Sequence, residues 1–154
     1  MVYRIVTRSS PLALQQTELA MSAISEVWPD FRYQIMPITT ALDTSDLPVS
    51  HFGGKISFVK ELEEALLSGL ADIAVHSLKD MAVELPDGLC LVAVLERKEP
   101  RDVLVSHDFS ELSSLPQGAV VGTSSKRRSS QILAKRPDIR VAPCRGNINT
   151  RLDK

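Results

Sequence analysis

Residues 2–14 read Val-Tyr-Arg-Ile-Val-Thr-Arg-Ser-Ser-Pro-Leu-Ala-Leu, and they predict a strand, a short polar turn and the beginning of a helix. The segment from Val2 to Thr7 has the apolar, β-branched character of a short strand. Ser10 offers an N-cap hydroxyl, and Pro11 suits the first helical position because the N–H that it lacks would have no partner there. A strand that runs straight into a helix is a unit from which α/β proteins are built.

Strand and helix signals continue to alternate along the rest of the chain. Phe31, Tyr33 and Ile35 alternate with polar residues, which is typical of a half-buried strand. Residues 58–68 have helical character, and Gly69 suits a C-terminal cap. Further strands are predicted at residues 72–76, 89–95, 103–106, 119–121 and 139–143, and further helices at Ser124 or Ser125 and at Asn147 or Asn149. The near-continuous apolar run 89–95 indicates a strand covered on both faces, and the alternation predicts an α/β fold.

Residues 96–101 separate two parts of opposite charge. Five of these six residues are charged and the other is Pro100, so we predict a domain boundary here, between residues 1–99 and residues 100–154. Residues 1–96 carry 6 basic and 13 acidic side chains, whereas residues 97–154 carry 12 basic and 6 acidic ones. A basic half predicts an anionic partner, although a chance scatter of charge gives the same asymmetry.

The composition argues against secreted, membrane and metal-binding proteins. The N-terminal residues lack the apolar stretch of a signal peptide, and the longest apolar run, 89–95, is too short to cross a bilayer. Cys90 and Cys144 make neither a disulfide framework nor a metal-ligand pattern, and the three histidines have no metal spacing. We expect a cytoplasmic protein with no membrane and no metal partner, with Cys90 in the core and Cys144 partly exposed.

Three turns share one design, in which a strand ends, arginines or hydroxyl side chains follow, and a helix begins. They are Thr7-Arg8-Ser9-Ser10, Thr123-Ser124-Ser125-Lys126-Arg127-Arg128 and Arg145-Gly146-Asn147. A helix N-terminus presents unpaired N–H donors and a partial positive charge, and arginine adds a planar fork that fits carboxylate or phosphate. One such turn is usually only a cap, but three of them predict an anion site at the carboxyl ends of the strands.

The pair Lys79-Asp80 also follows the end of a predicted strand. An aspartate there can accept a hydrogen bond from a ligand N–H or stabilise a developing cation. The alternative is a solvated ion pair in a surface loop, and the residues alone leave both interpretations open. His76 is expected on the strand itself, with its side chain satisfied.

Several motifs together resemble those of the hydroxymethylbilane synthase (porphobilinogen deaminase) family, in family order along nearly the whole chain. Val75-His76-Ser77-Leu78-Lys79-Asp80 resembles the signature around that family's catalytic aspartate. The other matching segments are Thr7-Arg8-Ser9-Ser10-Pro11-Leu12-Ala13-Leu14, Lys60-Glu61-Leu62-Glu63, Val121-Gly122-Thr123-Ser124-Ser125 with Arg127-Arg128, and Arg145-Gly146-Asn147 followed by Asn149-Thr150-Arg151-Leu152.

The resemblance implies two lobes like those of type II periplasmic binding proteins, the second incomplete in this chain, with the active site between them. It implies that Asp80 is the acid/base residue, which would handle the amino leaving group of porphobilinogen and stabilise the resulting azafulvene cation. It also implies a set of residues that hold the acetate and propionate groups of the substrate, the growing chain and the cofactor: Arg8, Ser10, Lys79, Thr123, Ser125, Arg127, Arg128, Arg145 and Arg151. The implied reaction joins four porphobilinogen molecules with release of ammonia, in tetrapyrrole (haem) biosynthesis. The four-unit product bears eight carboxylates, which suits the basic second half.

The chain departs from the family pattern in one loop and in its length. Ala41, Leu42, Ile56 and Ala82 replace common family residues in or beside residues 39–57, the expected active-site lid. The family continues with the rest of the second lobe and a third domain, whose cysteine binds the dipyrromethane cofactor covalently. We therefore expect the chain alone to be inactive and prone to self-association, while a full-length protein would be a monomer.

Two other functions compete with the enzyme. A non-catalytic module could hold a small carboxylate with the same lobes, but such a binder has no need of Asp80 in its cleft. Nucleic-acid binding could use Lys126, Arg127 and Arg128, but Trp28 is the only tryptophan and no aromatic side chain near that cluster could stack on a base. We predict porphobilinogen, and no nucleic acid, as partner.

Overall fold

The computed structural model describes residues 1–39 and 59–154. These residues divide into two compact units, Met1–Glu96 and Arg97–Lys154. The expected lid at 39–57, including Ala41, Leu42 and Ile56, lies outside the described residues apart from Thr39. Both units combine parallel strands with helices, so the α/β class is confirmed. The two-lobe arrangement like that of periplasmic binding proteins stays a prediction.

Unit 1 is a three-stranded parallel sheet in the order β2-β1-β3. Its elements are β1 (Tyr3–Arg8), α1 (Pro11–Val27), β2 (Tyr33–Ile38), α2 (Lys60–Leu67) and β3 (Ile73–Ala74). Helix α1 begins as the sequence predicts, because the Ser10 hydroxyl accepts a hydrogen bond from the Ala13 N–H and Pro11 takes the first helical position. β1 is central, so its carboxyl end lies beside that of each neighbour.

The core of unit 1 lies on the two faces of β1. Successive side chains of a strand point to opposite faces. Ile5 accordingly packs with Met21 and Phe31, and Val6 packs with Leu62 and Ala65. Helix α1 thus covers one face of the sheet and α2 covers the other, which leaves the carboxyl ends of the strands as the place where polar side chains can gather.

Unit 2 has a second, smaller parallel pair of strands. Its elements are β4 (Val120–Gly122), α3 (Lys126–Lys135), β5 (Arg140–Ala142) and α4 (Ile148–Leu152), with a 3₁₀ turn at Leu112–Ser114. Val120 pairs with Arg140 and Gly122 with Ala142. The helix expected at Ser124 or Ser125 begins after Ser125, whose hydroxyl accepts from the Arg128 N–H, and the last helix begins after Asn147.

Four expectations about the predicted strands and their residues were wrong. Residues 89–95 and 103–106 form no strand, and Val92 and Val103 are 81% and 79% exposed. Cys90 is exposed and is not a core residue. β3 is also shorter than expected, so His76 follows the strand and does not lie on it. The physical reason is common to all: a strand needs a hydrogen-bonding neighbour, and an apolar run does not supply one.

No helix within residues 1–39 and 59–154 is long and apolar enough to cross a membrane.

Candidate functional site

The first group of predicted site residues lies at the carboxyl ends of β1 and β3. Arg8 ends β1, and a 3₁₀ turn at Leu78–Asp80 follows β3. Because the two strands are parallel neighbours, both ends lie on the same edge of the sheet. The Arg8 Nη1 atom is 4.0 Å from Asp80 Oδ2, and these side chains are only 18% and 23% exposed. A guanidinium and a carboxylate thus face one another without forming a short hydrogen bond.

A cleft of about 60 Å³ opens beside Arg8 and Asp80. Ser10, Gln16, Ser77 and Lys79 contribute to its lining. The Ser77 hydroxyl donates to Gln16 Oε1 at 2.7 Å, and the His76 Nδ1 atom lies 3.0 Å from the Ser77 carbonyl oxygen. A space of this size suits a small polar group, such as an amine or one carboxylate, in front of Asp80. Gln16 was not predicted as a site residue, because its position within a helix carries no signal of its own.

Three hydrogen bonds fix the end of β3 and the turn that carries Asp80. The Thr7 hydroxyl, fully buried, donates to the Val75 carbonyl oxygen at 3.2 Å, and the Val75 N–H donates to the Val6 carbonyl oxygen. Within the turn the Asp80 N–H donates to the Ser77 carbonyl oxygen at 3.0 Å. Lys79, which directly precedes Asp80, is exposed. The backbone therefore holds Asp80 at the cleft and leaves Lys79 at its rim.

An ion pair between Arg4 and Asp72 links β1 and β3 near the amino-terminal ends of these strands. Arg4 donates to Asp72 through Nε at 3.0 Å and through Nη2 at 2.7 Å, and the Arg4 N–H donates to the same carboxylate. These hydrogen bonds, the side-chain ones first, lower the pKa of Asp72 to about 2. The Arg4–Asp72 ion pair therefore stabilises the β1–β3 register that brings Asp80 close to Arg8, in addition to the backbone hydrogen bonds between the strands.

The second group lies on the loops after β4 and β5. The Thr123 hydroxyl accepts from the Ser125 N–H at 3.1 Å, and the Ser124 hydroxyl accepts from the Cys144 N–H at 3.1 Å. The loops also approach closely at Gly122, where an added Cβ would lie 3.1 Å from the Cβ of Cys144. A larger residue at position 122 would push these two loops apart.

Arg127 and Arg128, in the first turn of α3, share one carboxylate. Arg127 Nη2 donates to Asp102 Oδ2 at 2.8 Å. Arg128 donates to Asp102 Oδ1 through Nε at 3.0 Å and Nη2 at 2.8 Å. The hydrogen bonds from Arg128, and then those from Arg127, lower the pKa of Asp102 to about 2. Asp102 lies 25 residues before Arg127, and no pattern in the sequence connects the two residues.

Arg145 and Arg151 lie on the loop and helix after β5, and both are exposed. Arg151 Nε donates back to the Gly146 carbonyl oxygen at 2.7 Å. Gly146 has a φ of +115°, and a Cβ there would lie 2.7 Å from the Cβ of Thr150, so only glycine fits. The Arg145-Gly146-Asn147 turn is therefore a tight cap that presents Arg145 at the surface.

The predicted site residues thus form two groups. Arg8, Ser10, Lys79 and Asp80 share the cleft of unit 1, and Thr123, Ser125, Arg127 and Arg128 lie together in unit 2, beside the loop of Arg145 and Arg151. A single anion site common to both groups stays a prediction. No group of three or more His, Cys, Asp or Glu residues in the described ranges could hold a metal ion.

The family model described as "Porphobilinogen deaminase, dipyromethane cofactor binding domain" matches residues 3–154. The chain belongs to the porphobilinogen deaminase family. The match spans both units, and it includes every residue of the two groups. The resemblance stated from the motifs is confirmed, and so is the dipyrromethane cofactor expected with it.

The residues of unit 2 fit a cofactor that bears acidic side chains. Arg127 and Arg128 already bind a carboxylate here, that of Asp102, at ordinary charge-assisted distances. Their side chains keep 57% and 42% of their surface exposed, so a further carboxylate can reach them. The donor set is thus of the kind that acetate and propionate groups require.

Proposed function

We propose that this chain belongs to a hydroxymethylbilane synthase, which joins four porphobilinogen molecules head to tail with release of ammonia. The observation that carries the proposal is the half-buried pair Arg8 and Asp80 on one small cleft, in a chain of the porphobilinogen deaminase family. The dipyrromethane cofactor supplies the pyrrole to which the first substrate unit is joined. The other steps are performed by residues of this chain.

Asp80 handles the proton and the charge of the substrate's aminomethyl group. A proton held at Asp80 Oδ2 passes to the amine, the C–N bond breaks, and its electron pair leaves with the nitrogen as ammonia. The methylene pyrrole left behind is a cation, and the half-buried carboxylate of Asp80 stabilises it. The methylene carbon then forms a bond to a ring carbon of the pyrrole that accepts the unit, the C–H bond at that ring carbon breaks, and its proton returns to the carboxylate.

The cationic side chains orient the substrate by its acidic groups. Arg8 is 4.0 Å from Asp80, so a substrate carboxylate paired with the guanidinium would bring the aminomethyl group close to the acid. Arg127 and Arg128 would hold further carboxylates, those of the substrate, the growing chain or the cofactor. The exposed side chains of Lys79, Arg145 and Arg151 would bind others. This division of roles is consistent with the exposures, since the group nearest the chemistry is the most buried.

Asp80→Asn in the complete natural protein is the direct test. The amide keeps the shape of the side chain but cannot transfer the proton, so we expect kcat to fall by roughly 10²- to 10⁴-fold. The KM for porphobilinogen should change only a few-fold, because Arg8 and the other cations remain. Ammonia release and product formation should fall together in the assay.

Asp87→Asn, an exposed acid in the loop after the site turn, is the matched control and should keep full activity. If Asp80→Asn loses only a few-fold in rate, Asp80 does not perform this chemistry. If neither the native protein nor the variant releases ammonia while both bind porphobilinogen, the chain is a non-catalytic carboxylate-binding module.

A further inference from the structure

Asp102 stands out among the charged residues of unit 2 because it contacts both arginines of the α3 turn at once. Its two oxygens take different partners: Oδ2 accepts from Arg127, and Oδ1 accepts two hydrogen bonds from Arg128. The three side chains therefore form one connected cluster, which we call the Asp102 cluster. It carries two positive charges and one negative charge.

The Asp102 cluster leaves many of its N–H groups available. A guanidinium has five N–H donors. Arg127 uses one N–H on Asp102 and one on Gln131, whose Oε1 accepts at 3.0 Å. Arg128 uses two on Asp102. Each arginine thus retains further donors for an outside carboxylate while its own orientation is already set.

We infer that Asp102 is a positioning residue for ligand carboxylates, which holds the guanidiniums of Arg127 and Arg128 in a fixed arrangement at the N-terminus of α3. This inference rests on the proposed function, in that it takes these two arginines to bind the acidic groups of pyrrole ligands. Long arginine side chains lose much rotational freedom when a ligand immobilises them. Asp102 removes that freedom before the ligand arrives.

The alternative role for Asp102 is that of a competitor. Its carboxylate could occupy the arginines in place of the ligand and leave them only when the ligand binds. The two roles make opposite predictions, because removal of a positioning group weakens binding whereas removal of a competitor strengthens it. The lowered pKa of Asp102 keeps the carboxylate ionised throughout the physiological pH range, so neither role is switched by pH there.

The test uses the complete natural protein and a probe that cannot react. The probe is the pyrrole that bears the acetate and propionate groups of porphobilinogen but lacks its aminomethyl group, so that no ammonia can leave. Calorimetric titration gives its dissociation constant. Asp102→Asn should weaken binding roughly tenfold, because two unrestrained arginines must then be immobilised by the ligand. In the enzyme assay the same variant should raise KM and change kcat little, since Asp102 touches no reacting atom.

Glu99→Gln is the matched control. Glu99 lies in the same segment and pairs with Arg101 at 2.8 Å, but it contacts neither arginine of the Asp102 cluster. This variant should bind the probe as the native protein does. Asp102→Glu keeps the charge on a longer stem, and we expect it to restore part of the affinity.

A double-mutant cycle separates positioning from a general loss of structure. In an Arg127→Met/Arg128→Met background, Asp102→Asn should have no further effect on the affinity for the probe. An equal loss in that background, or tighter binding in the single variant, overturns the inference. If the two methionines alone leave binding unchanged, these arginines do not hold the ligand, and the carboxylate-binding part of the proposed function fails with the inference. If they weaken binding and Asp102→Asn does not, only the inference fails.

Discussion

Unit 1 buries apolar side chains on both faces of its sheet. In unit 2 the side chain of Ile139 is buried, and one arginine donates hydrogen bonds to several backbone carbonyl oxygens. In unit 1, Met21 and Leu62 belong to separate clusters on the two sides of β1. In unit 2, Arg136 donates to the carbonyl oxygens of Leu112 and Leu115 and to both oxygens of Asp138. The two units thus share a strand-helix-strand plan but differ in what holds it, because the buried apolar clusters belong to unit 1 and the hydrogen bonds around a charged side chain belong to unit 2.

This difference predicts where each unit is vulnerable. Removal of core volume should damage unit 1 and leave unit 2 unaffected, whereas removal of one charge should loosen unit 2. Hydrogen exchange resolved by peptide measures both in the same sample, because it reports local protection along the chain.

Met21→Ala should have the largest effect. Met21 is fully buried against Ile5 and Phe31, and truncation of such a side chain costs about 2–5 kcal/mol of the free energy of unfolding. Protection should fall in β1 and α1 but not in β4 or β5. Val27→Ala, on the same helix but 84% exposed, should change stability by less than about 0.5 kcal/mol. Equal losses in both variants would show that burial of Met21 does not stabilise unit 1.

Arg136→Met should have the next largest effect, confined to unit 2. The change keeps an apolar stem but leaves the carboxylate of Asp138 and the carbonyl oxygens without their donor. We expect amides of residues 112–122 to exchange roughly tenfold faster. Arg140→Met, an exposed side chain on β5, is the control. If the exchange rates of these amides do not change in Arg136→Met, other contacts stabilise the loop and Arg136 does not.

A fall in pH should have the smallest effect, and it should destabilise unit 2 more than unit 1. Hydrogen bonds from Arg136 and from Arg128 lower the folded-state pKa values of Asp138 and Asp102 to about 2, below the ordinary value of 3.8. Their stabilising effect is complete above pH 3.8 and is lost as the pH falls towards 2. In unit 1 the corresponding group is Asp72. Protection, corrected for the intrinsic exchange rate, should therefore fall further in unit 2 than in unit 1 between pH 4 and pH 2.

Asp72→Asn sharpens this comparison. It removes the one strongly lowered carboxyl pKa among the described residues of unit 1, so the acid response of that unit should become flatter. An unchanged response would assign the acid sensitivity of unit 1 to other groups.

Local signals predicted the helices well and the strands unevenly. Ser10, Ser125 and Asn147 cap helices as their sequence context indicates, because a cap depends on residues only a few positions away. Residues 89–95 have the apolar character of a buried strand, yet they pair with no strand and remain exposed. Strand formation depends on a neighbour that is distant in sequence, which composition does not reveal.

The candidate site shows the same limit. Helix starts and strand ends indicated Arg8, Asp80, Arg127 and Arg128. The partners of these residues could not be inferred from position, since Asp102 reaches Arg127 across 25 residues of chain and Gln16 reaches Ser77 across 61. Which side chains pair depends on the path of the backbone between them. The motifs identify some of the paired residues but not their partners.

The pairing of β1 also has a consequence for the order in which the chain folds. β1 meets β2 after 30 residues and β3 after 68, whereas β4 meets β5 after 20. Closing the longest of these loops costs about 1 kcal/mol more in chain entropy than closing the shortest. During synthesis, β1 therefore waits longest of these strands for its second neighbour. Until residues 73–74 have been synthesised, one edge of β1 stays open beside Ile5 and Val6, and for that interval the nascent chain is most exposed to aggregation.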